Sequence, residues 1–290
     1  MPLTAKDDTV GFISLGAKVS EEPYDDDDRE FLATVADQLG LWLASLRLRS
    51  QQTDLDDATA IQRRMLPTTI PQRRGIAIAC NWHPAKAVGG DYYDVLELSG
   101  NRLGLCIGDV VGKGVPAARL MASLQAAVKA VATGALPPSD LVTRVNRIIS
   151  SNIGSGKFIT FFYAVLDAES KTLVFTNAGH NRPVLVRADG TCETLATGGP
   201  VLGIFEGFSY DQGQVALRPG DRLALFTDGV TEVWNREGEE FGDDGLLALL
   251  RARRTLGAAE FRDAVVQAVT AFSRGDFQDD VTLVIVAVTE

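Results

Sequence analysis

LGLCIGDVVGKG (Leu103–Gly114) is an apolar run that stops on an aspartate, Asp109, and gives way to a Gly-rich turn. A short apolar run bounded in this way reads as a buried strand, Leu103–Val110. The same punctuation recurs on both sides of it. Asp91 follows Gly89-Gly90 just before YYDVLEL, Asp228 ends RLALFT, and Asp279 and Asp280 immediately precede VTLVIVAV. A lone Asp at a strand end is ordinarily a turn residue, because its side chain bonds nearby backbone. Four such strand ends, three with an adjacent glycine, point instead to carboxylates gathered at one end of a sheet structure. Gathered carboxylates repel one another and are costly to desolvate unless cations sit among them. Hard divalent cations such as Mg²⁺ or Mn²⁺ take oxygen ligands of this kind. A binuclear site with metals roughly 3.5–4 Å apart can activate water for in-line attack on phosphorus. The pattern therefore predicts metal-assisted phosphate hydrolysis.

Strands are expected at Ile76–Trp82, Tyr92–Leu98, Leu103–Val110, Ile159–Asp167, Thr172–Asn177, Pro183–Val186, Gly213–Leu217, Arg222–Thr227 and Val281–Val288. Helices are expected at Pro116–Ala132, Ser139–Ser151, Asp244–Arg253 and Ala258–Ser273, several opened by Ser, Asp or Pro. The absence of βαβα alternation argues against a doubly wound parallel sheet. Two helices in the middle and two near the end suggest an α+β fold of stacked antiparallel sheets flanked by helices. Gly134-Ala-Leu-Pro-Pro, between the middle helices, reads as a hinge.

The chain is 290 residues long, 46% hydrophobic and 23% charged, with a formal charge of −10. With no local basic stripe, that sign argues against sequence-independent nucleic-acid binding. The longest apolar stretches fall short of the ~20 residues a membrane-spanning helix needs. MPLTAKDDTV lacks a basic stretch followed by an apolar core, so a cytoplasmic location is expected. Cys80, Cys106 and Cys192 show no C-x-x-C spacing and read as reduced structural thiols.

Residues 1–50 carry 5 basic and 10 acidic residues, half of the net charge in about a sixth of the chain. Here Val10–Leu15 reads as a strand, EEPYDDDD as a polar connector, and Phe31, Leu32, Val35, Leu39, Trp42, Leu43 and Leu46 as a helical stripe. Gly11, Leu15, Gly16, Asp28, Phe31, Leu32, Ala36 and Gln38 resemble the last strand and helix of a GAF sensory domain. That implies a C-terminal GAF remnant at 1–46 and a truncated chain. Leu41, Leu48 and Leu55 lie seven apart, with no Gly or Pro between Leu41 and Leu66. Residues 47–66 are therefore expected to form a helical linker. If continuous from Phe31, the helix would be roughly 54 Å long at about 1.5 Å per residue. It would suit a homodimer stalk; a broken helix pair packed on the catalytic domain is the alternative, because Gln52 and Thr59 interrupt the second heptad position.

GGDYYDV (89–95), GDVVGKG (108–114), NAGHNRPVL (177–185), GGPVLGI (198–204), FTDGVTE (226–232) and DDVTLVIV (279–286) resemble, in order, the motifs of the PPM family of metal-dependent Ser/Thr phosphatases. The bacterial SpoIIE/RsbU branch fits best, with the phosphatase domain placed at 67–290. The resemblance implies an αββα sandwich and two divalent cations, Mn²⁺ or Mg²⁺. It assigns the bridging metal ligand to Asp109 and a backbone carbonyl ligand to Val110. Asp91 would hold one metal largely through water, and Asp228 and Asp279 the other. Asp94 and Asp280 are alternatives in a supporting role. The implied chemistry is attack of a metal-bridging hydroxide on phosphoserine or phosphothreonine, with no phosphoenzyme. The implied substrate is a serine-phosphorylated STAS-type anti-anti-sigma factor in a partner-switching pathway. Lys113 is the nearest cation for the phosphate, against the plainer reading of a solvent-exposed loop Lys. His180 could protonate the leaving group, but is better read as part of a structural turn. Gly112, Gly114 and Gly229 are read as meeting backbone demands rather than cradling phosphate. A catalytically silent PPM-like binding module is the competing reading. A nucleotidyl cyclase suggested by GGD would leave Asp228 and Asp279 unused.

Overall fold

The computed structural model describes residues 1–290 except 7, 133, 135, 155 and 290. The hinge expected at Gly134–Pro138 includes residue 135, which lies outside the described residues. The chain divides into two compact units, Met1–Ala58 and Thr59–Glu290. In the first, β1 (Pro2–Ala5) and β2 (Asp8–Phe12) form an antiparallel hairpin. The sequence suggested a single strand at Val10–Leu15; β1 is too short and begins on Pro, so it shows no alternation to read. The helix α1 (Asp26–Met65) is continuous over 40 residues, and the boundary between the units falls within it. Its first turn carries Asp26, Asp27 and Asp28 and its last turn Arg63 and Arg64, charges that oppose the helix dipole at both ends.

The second unit contains two sheets. One has six strands: β4 (Tyr92–Leu98), β5 (Arg102–Val110), β6 (Ile159–Asp167), β7 (Thr172–Ala178), β10 (Gly198–Gly199) and β11 (Gly213–Ala216). The other has five, in the order β3 (Ile76–His83), β13 (Val281–Val288), β12 (Arg222–Phe226), β8 (Val184–Val186) and β9 (Cys192–Thr194). The pairings are antiparallel except that β10 lies parallel to β7. The two- and three-residue strands β10 and β9 were not expected from sequence, because runs so short carry no periodicity.

Helices α2 (Val115–Val131) and α3 (Pro138–Ser150) pack on the six-stranded sheet, and α4 (Gly242–Arg253) and α5 (Ala258–Ser273) on the five-stranded one. The result is the expected αββα sandwich. Strand β13 shows why its sequence is apolar throughout. Val284, Val286 and Val288 enter the core between the sheets, while Val281, Leu283, Ile285 and Ala287 face the layer containing Leu246, Leu250, Phe261 and Val265. A strand covered on both faces loses the polar alternation of a half-exposed one. Helix faces follow the same logic: α2 buries Ala117, Met121, Leu124 and Val128, and α5 buries Phe261, Val265 and Val269.

Candidate metal centre

Register brings the strand-end aspartates together. Tyr92 pairs with Gly108, so Asp91, just before β4, and Asp109, near the end of β5, lie at the same end of the six-stranded sheet. Phe226 pairs with Leu283, which places Asp228, after β12, beside Asp279 and Asp280, before β13. Threonines join the two sheet ends. Asp91 is only 1% exposed, and its Oδ2 accepts from Thr227 Oγ1 at 2.7 Å and from Thr282 Oγ1 at 2.5 Å. Gly90 lets the Val110 carbonyl approach: a Cβ there would sit 2.9 Å from Val110 O and 3.5 Å from Asp109 Oδ1.

The electrostatics record the crowding. Burial, then the charges of Asp228 and Asp279, push the Asp109 carboxyl up to about 7. Burial, then Asp279 and Glu232, push Asp228 up to about 6. Asp91 is raised well above the usual carboxylate range by burial, then by Asp109 and Asp280. An all-oxygen donor set in which burial and neighbouring charge raise Asp91, Asp109 and Asp228 suits a hard cation, which would offset the repulsion. Among the described residues, however, no three acidic, His or Cys side chains converge as a ready-made coordination site. The Lys113 ammonium pairs with Asp279 Oδ2 at 2.8 Å and donates to Gln278 O at 2.5 Å. The donor chemistry therefore fits divalent cations, with Asp279 to be drawn from its lysine.

Asp280 and Asp94 part company here. Asp280 Oδ1 accepts from Ala85 N at 2.8 Å and its Oδ2 from Gly90 N at 2.6 Å, so this carboxylate organises the segment leading to Asp91. Asp94 is buried along β4, where its Oδ2 accepts from Tyr92 OH at 3.2 Å and faces Lys129 of α2 at 3.5 Å. Two residues along a strand keep the same face, but Asp91 precedes β4, three positions away, and turns to the threonines instead. The structure thus places Asp94 apart from the other carboxylates.

His180 is buried, with Nδ1 2.8 Å from Thr160 Oγ1, on the residue that pairs with Asp109 across the β5–β6 ladder. Its main chain is pinned by Asn177, whose Oδ1 accepts from His180 N at 2.7 Å and whose Nδ2 donates to His180 O at 3.0 Å. Burial pushes the imidazole down to about 3, so it is neutral at pH 7 and is not a charged proton donor. A cavity of about 450 Å³ is lined by His180, Arg182, Phe226 and Asp243, and by none of the four carboxylates. Cys80 is pushed up to about 12 by burial, and burial also raises Cys106 well above the ordinary thiol range, in line with unreactive thiols. Thr227 and Thr282 were missed from sequence, although a polar residue at the end of an otherwise apolar strand was the available signal.

Residues 99–289 match the family described as Stage II sporulation protein E (SpoIIE). Phosphoserine phosphatase RsbU of Bacillus subtilis is 29% identical over 235 residues, covering 81% of this chain and 70% of the relative. A solved structure of the RsbU and RsbW domains of a Mycobacterium tuberculosis protein is 30% identical with a TM-score of 0.63, covering 77% of this chain and 62% of that one. The SiaA-PP2C domain of Pseudomonas aeruginosa has a TM-score of 0.71 at 22% identity, covering 84% of this chain and 98% of that one, a likeness of fold.

Proposed function

The chain belongs to the SpoIIE family, and from that premise we propose that it is a metal-dependent Ser/Thr protein phosphatase acting on phosphoserine in a partner protein. The observation that carries this reading is that the strand ends bearing Asp91, Asp109, Asp228 and Asp279 lie at one end of the sandwich, with the first three carboxyls raised by burial and neighbouring acidic groups. Asp109, the Val110 carbonyl and Asp91 would hold one cation, and Asp109, Asp228 and Asp279 the other. Mn²⁺ or Mg²⁺ bound there supplies an acidified water and positive charge against the phosphate. The protein's part is positional. Thr227 and Thr282 fix the Asp91 oxygen. Asp280 holds the segment before it, and His180 braces the strand beside Asp109 through Thr160.

The substrate we propose is a serine-phosphorylated STAS-type protein, as the SpoIIE/RsbU resemblance implies. Residues 1–46 are proposed as the C-terminal part of a GAF-type input, followed by the helical linker at 47–66. Leu41, Trp42 and Leu48 are 55, 57 and 66% exposed on α1, which supports self-association of this helix. Sedimentation of Leu48→Asp against wild type tests that association, and equal assembly removes it.

The catalytic reading is tested by incubating the protein with Mn²⁺ and a phosphoserine STAS-domain protein and following phosphate release. Metal-dependent release that Asp109→Ala abolishes is expected. No release by wild type, or equal release by Asp109→Ala, would leave the silent binding module as the better account.

A further inference from the structure

Gln62 lies in the last turns of α1, within the second unit, and is only 3% exposed. Its carboxamide makes a two-way pair with one peptide 27 residues away: Gly89 N donates to Gln62 Oε1 at 3.0 Å, and Gln62 Nε2 donates to Gly89 O at 2.6 Å. One turn earlier, Thr59 Oγ1 donates to Ala87 O at 2.8 Å. Residues three apart share a helix face, so both side chains grip the same strap. From the other side Asp280 accepts from Ala85 N, Gly90 N and, at 3.4 Å, Asp91 N. The strap Pro84–Asp91 is thus clamped between the helix and Asp280, and its last residue is the carboxylate that Thr227 and Thr282 hold. Gly89 has no spare room, because a Cβ there would run into the Asp280 carboxylate.

We propose that Gln62 is a positioning residue for the metal centre: its carboxamide sets the Gly89 peptide, and through it the Asp91 carboxylate, for cation binding. This rests on the phosphatase reading only for its effect on turnover. The pairing demands a donor and an acceptor on one side chain at this reach: Leu supplies neither, ionised Glu lacks the donor, and Asn carries the same amide one methylene short. Because the partner is backbone, displacement of the last turns of α1 shifts the strap directly, and cation affinity depends on where those turns lie.

The test uses the full chain and Mn²⁺ alone as the probe. Calorimetric Mn²⁺ titration, melting temperature and amide hydrogen exchange over residues 84–91 are compared for wild type, Gln62→Leu, Gln62→Glu and Gln125→Leu. Gln125 Nε2 donates to Met65 O at 2.6 Å, so its loss loosens the same helix end without touching the strap. Both Gln62 variants are expected to weaken Mn²⁺ binding roughly 10–100-fold and to speed exchange over 84–91. Gln125→Leu should leave Mn²⁺ affinity at the wild-type value. Turnover at saturating Mn²⁺ should return toward wild type in Gln62→Leu, which separates positioning from lost chemistry. Wild-type Mn²⁺ affinity in both Gln62 variants overturns the proposal, as does equal weakening by Gln125→Leu. If Gln62→Leu does not fold, Gln62→Glu, which keeps size and one bond, decides by the same measurements. Wild type that binds Mn²⁺ but releases no phosphate removes the phosphatase reading and leaves the cation result to judge Gln62 on its own.

Discussion

Thr227 Oγ1 donates to Asp91 Oδ2 at 2.7 Å, across 136 residues of sequence and from one sheet to the other. Thr227 stands directly before Asp228, so one strand end supplies a carboxylate and steadies the carboxylate of the opposite sheet. Thr227→Val keeps the shape and removes the donor. It should weaken Mn²⁺ binding and phosphate release roughly 10–100-fold, read by calorimetry and by initial rates. Wild-type values for both would show that the Thr227 donor does not matter to the site.

The raised carboxyls make the metal-free protein sensitive to pH. Asp109 stands at about 7 in the folded chain against an ordinary 3.8. Between those values the unfolded chain gives up a proton that the folded chain keeps, so stability falls as pH rises through this window and levels off above it. Below the window the effect vanishes. In chelator, Asp109→Asn should therefore melt higher than wild type at pH 7.5, by roughly 2–4 °C per kcal/mol of relieved repulsion. The two should converge near pH 4. Melting curves from pH 4 to 8 check this, and a lower melting temperature for the variant at pH 7.5 would contradict it.

On the proposed metal reading, Lys113 competes with a cation for Asp279. Both side chains are about two-fifths exposed, and an exposed pair contributes at most about 1 kcal/mol, or roughly fivefold. Lys113→Met should tighten Mn²⁺ binding by no more than that factor, measured by titration. If the lysine instead serves the substrate phosphate, KM rises while Mn²⁺ affinity stays fixed.

His180 is neutral and buried, which limits what its loss can do to the chemistry. His180→Phe should leave the shape of the pH–rate profile unchanged, while unfolding becomes easier by about 1 kcal/mol as Thr160 Oγ1 loses its 2.8 Å bond and keeps only the 3.5 Å one to Asp109 O. Denaturant unfolding and rates between pH 5.5 and 9 provide the two readings. Loss of one limb of the profile would restore a proton-transfer role.

The strands and helices of the second unit were legible because burial imposes periods that a sequence must carry. VTLVIVAV is apolar at every position because β13 is covered on both faces, and α5 repeats its apolar residues at helical spacing. Strand-end aspartates were legible because a charge interrupting such a run needs a reason. What stayed hidden was local and short. Strands β9 and β10 are held by partners rather than by propensity, and β1 is held by β2. Gln62 looked like one polar residue among many on a helix, and its exchange of two bonds with Gly89 depends on how α1 meets the strap.

Sequence by itself determined the layered α+β architecture, the family resemblance and the carboxylates that sit at strand ends, since all of these follow from the order and spacing of residue types. Only the tertiary structure decided what each acidic side chain faces. Asp91 turns to two threonines, Asp279 to Lys113, Asp280 to backbone amides and Asp94 to Tyr92 and Lys129. Chemically these residues are identical, and they differ only in neighbours brought from distant parts of the chain. Those neighbours, through burial and charge, set which carboxyls are raised and which are held by hydrogen bonds or ion pairs.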